Sequence, residues 1–236
     1  MSAILPVGLP LAEFLAVWGF LALNILTPGP NVMNTIALSM GSGRLAGMGA
    51  ALGTGVGIGI WCLGMLLGAT ALLAAVPVAK LALTALATGL LVWFAARYLR
   101  AARQGFEARR RGDPPVPPGR RGAGLGTGFA RSLMVLMTNP KALTTWLTVA
   151  GLFPVARAGG ADIALLCLGA SVLAVTIHAG YALLFSTPPA ARAWLRAAPA
   201  LNLGVGLFFL AFAASLAASL AAGLATGPAA GLPGAG

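Results

Sequence analysis

Charge is scarce in this chain, and negative charge scarcer still. Only 8% of its 236 residues are charged, with Asp and Glu together numbering 4, where a soluble domain is about 25% charged. Histidine occurs once and cysteine twice. Clustered Asp, Glu, His or Cys ligands are therefore missing, and neither a metal centre nor metal efflux fits. Cys62 and Cys167 cannot supply a disulfide framework, and both read as small hydrophobic side chains within apolar stretches. Short segments of alternating polarity are also lacking, which argues against a closed β-barrel. No catalytic residue and no cofactor is assigned, and the chain is not expected to be an enzyme.

What the chain does have is uncharged length. It is 59% hydrophobic with a mean hydropathy of +0.93. Charge-free runs extend from Phe14 up to Arg44, from Leu45 up to Lys80 and from Ile163 up to Arg192, each longer than the roughly 20 residues that cross a bilayer as helix. Six spans are expected, at about 11–35, 45–68, 78–99, 129–153, 163–186 and 200–224, making an all-α, multi-pass membrane protein. The segment Met1 to Leu23 has no basic residue before its apolar run and carries Glu13, so it is not expected to be a secretory signal, and the first span is retained.

The formal charge is +11, and its placement carries the information. Of the 15 Lys and Arg, all but Lys80, Lys141 and Arg157 fall in or beside the loops after the first, third and fifth spans. Those loops are expected to be cytoplasmic, with both termini periplasmic or extracellular. The arginines read as topology determinants and contacts for anionic lipid headgroups, not as a surface for nucleic acid. Residues 1–102 form a first three-helix half, 103–124 an Arg/Pro-rich cytoplasmic linker, 125–225 a second half, and 226–236 a flexible tail.

With three spans on each side of the linker, the first and fourth run in opposite directions, so likeness between the halves would be an inverted repeat. Thr27-Pro28-Gly29-Pro30-Asn31 lies against Thr138-Asn139-Pro140-Lys141-Ala142 at one constant offset. Such paired interruptions point to a transporter's binding site. Each proline deletes an N–H and frees carbonyls one turn upstream, and at membrane depth freed backbone is tolerated only against protein or a water-filled cavity. Each break also begins a half-helix whose positive end suits a carboxylate. Lys141 adds a cation that costs about 2.5–3.5 kcal/mol at a span centre and so is expected to face a polar interior.

Asn24, Thr27, Asn31 and Asn34 recur at helical spacing around the first break, and Thr144, Thr145 and Thr148 continue one face beyond Lys141. Their oxygens could accept hydrogen bonds from an ammonium group. The candidate substrate-binding set is Asn24, Thr27, Pro28, Gly29, Pro30, Asn31, Asn139, Pro140, Lys141 and Thr145. The competing reading is that these side chains bond neighbouring helices and that Lys141 snorkels or binds the freed carbonyls. His178, with Ser171 and Tyr181 at compatible positions, is a candidate for proton coupling or for a structural hydrogen bond. No acid lies deep in a span, which favours a neutral over a basic amino acid. In the second span Gly49/Gly53, Gly55/Gly59 and Gly64/Gly68 have GxxxG spacing, which suits tight packing and leaves a homodimer open.

The stretches "LTPGPNVMNTIALSMGSGRLAGMGAALGTGVG" and "LMTNPKALTTWLTVAGLFP", separated by an Arg-rich loop, resemble the lysine exporter / homoserine-threonine exporter (LysE/RhtB) family of bacterial inner-membrane translocators. The resemblance covers nearly the whole chain and implies export of amino acids or derivatives by a six-helix bundle, driven by the proton motive force. The chain departs from the family in carrying Asn31 where many members have Asp, and "LTTWLTVAGLFPVA" where Phe-Phe and a later Pro-Gln-Phe are frequent. Two other classes stay open: a membrane thiol oxidoreductase using Cys62 and Cys167, and a small passive channel.

Overall fold

The computed structural model describes residues 8–69, 77–113, 122–152 and 158–226. Proline sets where the first helices begin. Helix α1 (Leu11–Leu26) follows Pro10, and α2 (Pro30–Ser42) starts on Pro30, whose missing N–H is no loss in a first turn. Between them Pro28 pushes Thr27 out of the helical region, to φ −67° and ψ 126°. The two helices therefore meet at a bend of 55°. Gly43 ends α2 with φ 84°, a left-handed backbone that a Cβ would strain. Helix α3 (Arg44–Gly64) follows and runs into a π turn at Met65–Ala69, and α4 spans Pro77–Arg111.

The second half repeats this order. Helices α5 (Leu125–Met137) and α6 (Pro140–Leu152) are divided at Thr138 and Asn139, with a proline again in the first helical position. Asn139 Oδ1 accepts the N–H of Lys141 at 3.0 Å and so caps α6. Two long helices follow, α7 (Gly160–Phe185) and α8 (Pro188–Thr226), the latter continuing through Pro199.

Helix α3 lies at the centre because its glycines admit neighbours. A Cβ at Gly49 or Gly53 would run into the carbonyls of Leu125 and Phe129 on α5, and Gly128 of α5 sits as tightly against Ala46. Gly55 and Gly59 face Val175 and Ser171 of α7 in the same way. Those two GxxxG pairs are thus covered within the chain. Gly64 and Gly68 meet no neighbour among the described residues. Phe14, Leu21, Trp146, Val149 and Leu166 fill the core around α3. A separate cluster of Leu91, Ala95, Val205 and Phe209 joins α4 to α8, with Tyr98 edge-on to Phe209. That pair touches the other helices far less than its members touch each other.

Leu15, Leu52, Leu168, Val172 and Phe208 point outward, a surface suited to lipid and not to water. By length and composition, Arg44–Gly68, Gly160–Phe185 and Pro188–Ala221 can each cross a bilayer, and α1 with α2 makes a fourth crossing when counted as one bent span. The protein is an all-α, multi-pass membrane protein.

Several boundaries differ from those expected. The first span runs on to Ser42, and the fourth is divided at Asn139. Helix α4 continues to Arg111 into the expected linker, supported by the i,i+4 pair Arg103–Glu107 at 2.7 Å. Helix α8 begins at Pro188, so Arg192 and Arg196 are helical. Residues 114–121 of the linker and 227–236 of the tail lie outside the described residues. The cysteines differ most: Cys62 on α3 and Cys167 on α7 form a disulfide, with Cα atoms 5.5 Å apart, where two separate thiols were expected. The close approach of α3 and α7 at Gly55 and Gly59 brings together residues 105 apart in sequence.

Candidate functional site

The two helix breaks meet inside the bundle. Asn139 Nδ2 donates to Asn31 Oδ1 at 3.3 Å, joining the interruption between α1 and α2 to that between α5 and α6. Asn31 Nδ2 in turn donates to Thr54 Oγ1 at 3.2 Å and to the Ser132 carbonyl at 3.1 Å, while the Thr54 and Ser132 hydroxyls bond each other at 2.8 Å. The asparagines, Thr54 and Ser132 are all buried. Buried carboxamides need such partners, and together these form a polar layer across the middle of an apolar bundle.

Lys141 lies beside this layer with its charge engaged. Its Nζ donates to the carbonyls of Asn24 at 2.7 Å and Thr27 at 2.9 Å. Among the described residues the Asn24 carbonyl otherwise accepts only the Thr27 N–H, at 3.2 Å, and both oxygens lie at the negative end of α1, where a cation is favoured. The Tyr181 hydroxyl takes the Leu26 carbonyl at 3.0 Å, so two side chains from the second half cap α1. Gly29 lets the lysine stem pass: a Cβ there would stand 3.3 Å from Lys141 Cδ. Thr145 Oγ1 lies 2.6 Å from the Lys141 carbonyl of its own helix and 3.1 Å from Asn24 Oδ1, so its one proton is shared between them. Thr144 and Thr148 bond only carbonyls of their own helix among the described residues.

A cavity of about 50 Å³ sits against this cluster, lined by Asn24, Asn31, Asn139, Lys141, Thr145 and His178 among others. That is room for a few waters and well below the roughly 300 Å³ at which small-molecule sites begin. The indole N–H of Trp146, which also lines it, is buried without a hydrogen-bond partner. His178 is 1% exposed, and its Nδ1 is 2.8 Å from Thr35 Oγ1. On the other side of the junction, toward the arginine-bearing end, a larger cavity of about 420 Å³ is lined by Pro30, Asn34, Arg97, Arg131, Thr138 and Trp194 with others. Asn34, expected on one stripe with Asn24 and Asn31, faces this second cavity instead.

Thus Asn24, Thr27, Gly29, Asn31, Asn139, Lys141, Thr145 and His178 line one cavity; Pro28 shapes the bend, while Pro30 and Pro140 begin the half-helices. Thr35, Thr54 and Ser132 were not singled out from sequence, since an isolated hydroxyl in an apolar run is unremarkable until its partner is known. Asp162 was missed as well: fully buried, its carboxylate accepts the N–H groups of Gly8, Leu9 and Gly159, tying the start of the chain to the start of α7. Cys62 and Cys167 are 0% and 6% exposed, a burial that suits a structural crosslink better than exchange with a redox partner. Among the described residues no group of His, Cys, Asp and Glu could hold a metal ion.

Neither curated proteins nor solved structures gave a match. The family model described as LysE type translocator matches residues 22–220, a stretch holding both breaks, Lys141 and His178. With most of its length matched and its two broken helices joined at one polar junction, the chain belongs to the LysE type translocator family.

Proposed function

We propose that the protein is a secondary transporter exporting amino acids or their derivatives, neutral ones in preference to basic, across the bacterial inner membrane under the proton motive force. The observation that carries this reading is the Asn31–Asn139 bond, which closes a junction between two interrupted helices with a cavity on each side. In this reading α1–α2, α3, α4, α5–α6, α7 and α8 make six crossings as a 3+3 inverted repeat. The arginine end is cytoplasmic, where it meets anionic headgroups, and both termini are periplasmic.

The small outer cavity and the larger inner one then correspond to a conformation closed outward and open inward. Lys141 changes partners during transport: a substrate carboxylate takes the place of the Asn24 and Thr27 carbonyls on Nζ, α1 loses its cap, and the bend at Pro28 is free to move. Asn24, Asn31, Asn139 and Thr145 supply oxygens for the solute's polar groups, and His178 with Thr35 is the candidate proton carrier. Among the described residues no carboxylate lines the smaller cavity, which favours neutral over basic substrates.

The test is export from cells that express the protein and are fed mixed dipeptides, with free amino acids and their derivatives measured outside. Wild type is expected to accumulate one class of product, Lys141→Ala and Asn31→Ala to lose most of it while still inserting, and a proton uncoupler to stop it. Equal accumulation by wild type, both variants and cells lacking the protein would reject the reading. Flux that ignores the uncoupler and follows only the solute gradient would point to a passive channel.

A further inference from the structure

The larger cavity lies between α2 and α5 on one side and the α4/α8 pair on the other. Among the described residues its cations are Arg97 and Arg131, and none that line it is acidic. Among the described residues neither guanidinium has a carboxylate partner, the ion pairs being Arg103–Glu107 and Arg111–Asp113. In the cavity wall lies Asn34, 7% exposed, with neither Oδ1 nor Nδ2 hydrogen-bonded among the described residues. A carboxamide left in this state costs about 1–3 kcal/mol, and such an orphan calls for a partner that the folded chain itself does not supply. Trp93, Phe94, Tyr98 and Trp194 give the wall an aromatic part, and Thr138 and Asn202 add uncharged polar groups.

We infer that this cavity is the cytoplasmic entry site and that it selects N-acylated neutral amino acids over the free amino acids. The inference rests on the export function proposed above and names its substrate class. Arginine forks bind carboxylate in a bidentate manner. A secondary amide offers one N–H and one C=O, the complement of the unpaired Asn34 carboxamide. The aromatic wall takes the apolar side chain and acyl group, and about 420 Å³ lies within the range of small-molecule sites. A free ammonium fares worse. It finds no carboxylate there and is repelled by two arginines. The face of Trp93 is already covered by Arg97, 4.9 Å from the ring centroid, so that cation–π seat is taken.

The test is binding to the full chain in phosphatidylcholine nanodiscs, read by tryptophan fluorescence, with Trp93→Phe and Trp194→Phe locating the signal. N-acetyl-leucine is expected to quench saturably and to bind at least tenfold tighter than leucine, with lysine weaker again. Arg97→Gln with Arg131→Gln should weaken N-acetyl-leucine at least tenfold. Asn34→Asp, which places a carboxylate in the wall, should reverse the preference toward leucine; this reversal does not depend on the arginine variants folding. Leucine binding as tightly as N-acetyl-leucine would overturn the inference. So would an unchanged double variant, or a signal that answers only to added phosphatidylglycerol. Leucine export without any N-acetyl preference rejects this inference and leaves the exporter standing; preferential binding without export of either compound does the reverse.

Discussion

Lys141 is a single charge near the middle of a bundle that holds almost none, and its two carbonyl partners explain how it is tolerated. Lys141→Met keeps the stem and removes the donor, leaving the Thr27 carbonyl uncapped and the Asn24 carbonyl with the Thr27 N–H alone. It is expected to destabilise the protein by about 1–3 kcal/mol, read as a lower midpoint of thermal unfolding in detergent, and to abolish export. Lys141→Arg should recover much of the midpoint, since a guanidinium can still donate to both oxygens, but little of the transport if the lysine must change partners. Recovery of both together would make the residue a cap and nothing more. Asn31 poses a sharper case, because it donates and accepts at once. Asn31→Asp removes the donors to Thr54 and Ser132 and adds a buried charge. A fall in thermal midpoint larger than that of Asn31→Ala is expected. The prolines and Lys141 could be read as a site from sequence, because a break and a charge are anomalies in an apolar run. Thr54 and Ser132 could not, because their significance is their distance to Asn31.

Helices α3, α5 and α7 are held together by the absence of side chains. Gly49 and Gly53 bring the α5 backbone against α3, and a larger residue must push the helices apart. Gly53→Leu is therefore expected to lose folded protein, while Gly64→Leu, at a position where a Cβ meets nothing among the described residues, should retain the wild-type elution profile in size-exclusion chromatography. Comparable losses for both would contradict the packing described here, and a change of oligomeric state confined to Gly64→Leu would place a second copy on that face. GxxxG spacing announces close approach but not to which helix. The same ambiguity explains why glycines that looked available for a homodimer are mostly covered within one chain. The length of α4 was missed for a related reason: Arg, Gly and Pro after Arg103 suggested a loop, yet Arg103–Glu107 and an otherwise good helix-forming run carry the helix to Arg111.

The whole molecule consists of a closely packed body around α3 and an α4/α8 pair laid against it, with the larger cavity at their seam. The Cys62–Cys167 disulfide lies within the body, so it should stabilise without blocking movement at the seam. Mass spectrometry after maleimide treatment under denaturing conditions is expected to show no labelled cysteine without reductant and two with it. Cys62→Ser with Cys167→Ser should lose about 2–4 kcal/mol of stability, as for a crosslink closing a long loop, and keep measurable export. Two free thiols in unreduced protein would show that the crosslink does not form. Sequence by itself determined the solvent of the fold, its all-helical class, the paired Pro-containing interruptions and the single intramembrane lysine, because these follow from composition and from chemistry local to a few residues. Which polar groups meet was decided only in three dimensions. Lys141 on α1, Asn31 on Asn139, Cys62 on Cys167 and Asn34 facing a separate cavity with Arg97 and Arg131 all depend on how helices far apart in the chain cross, and local spacing carries no record of that crossing.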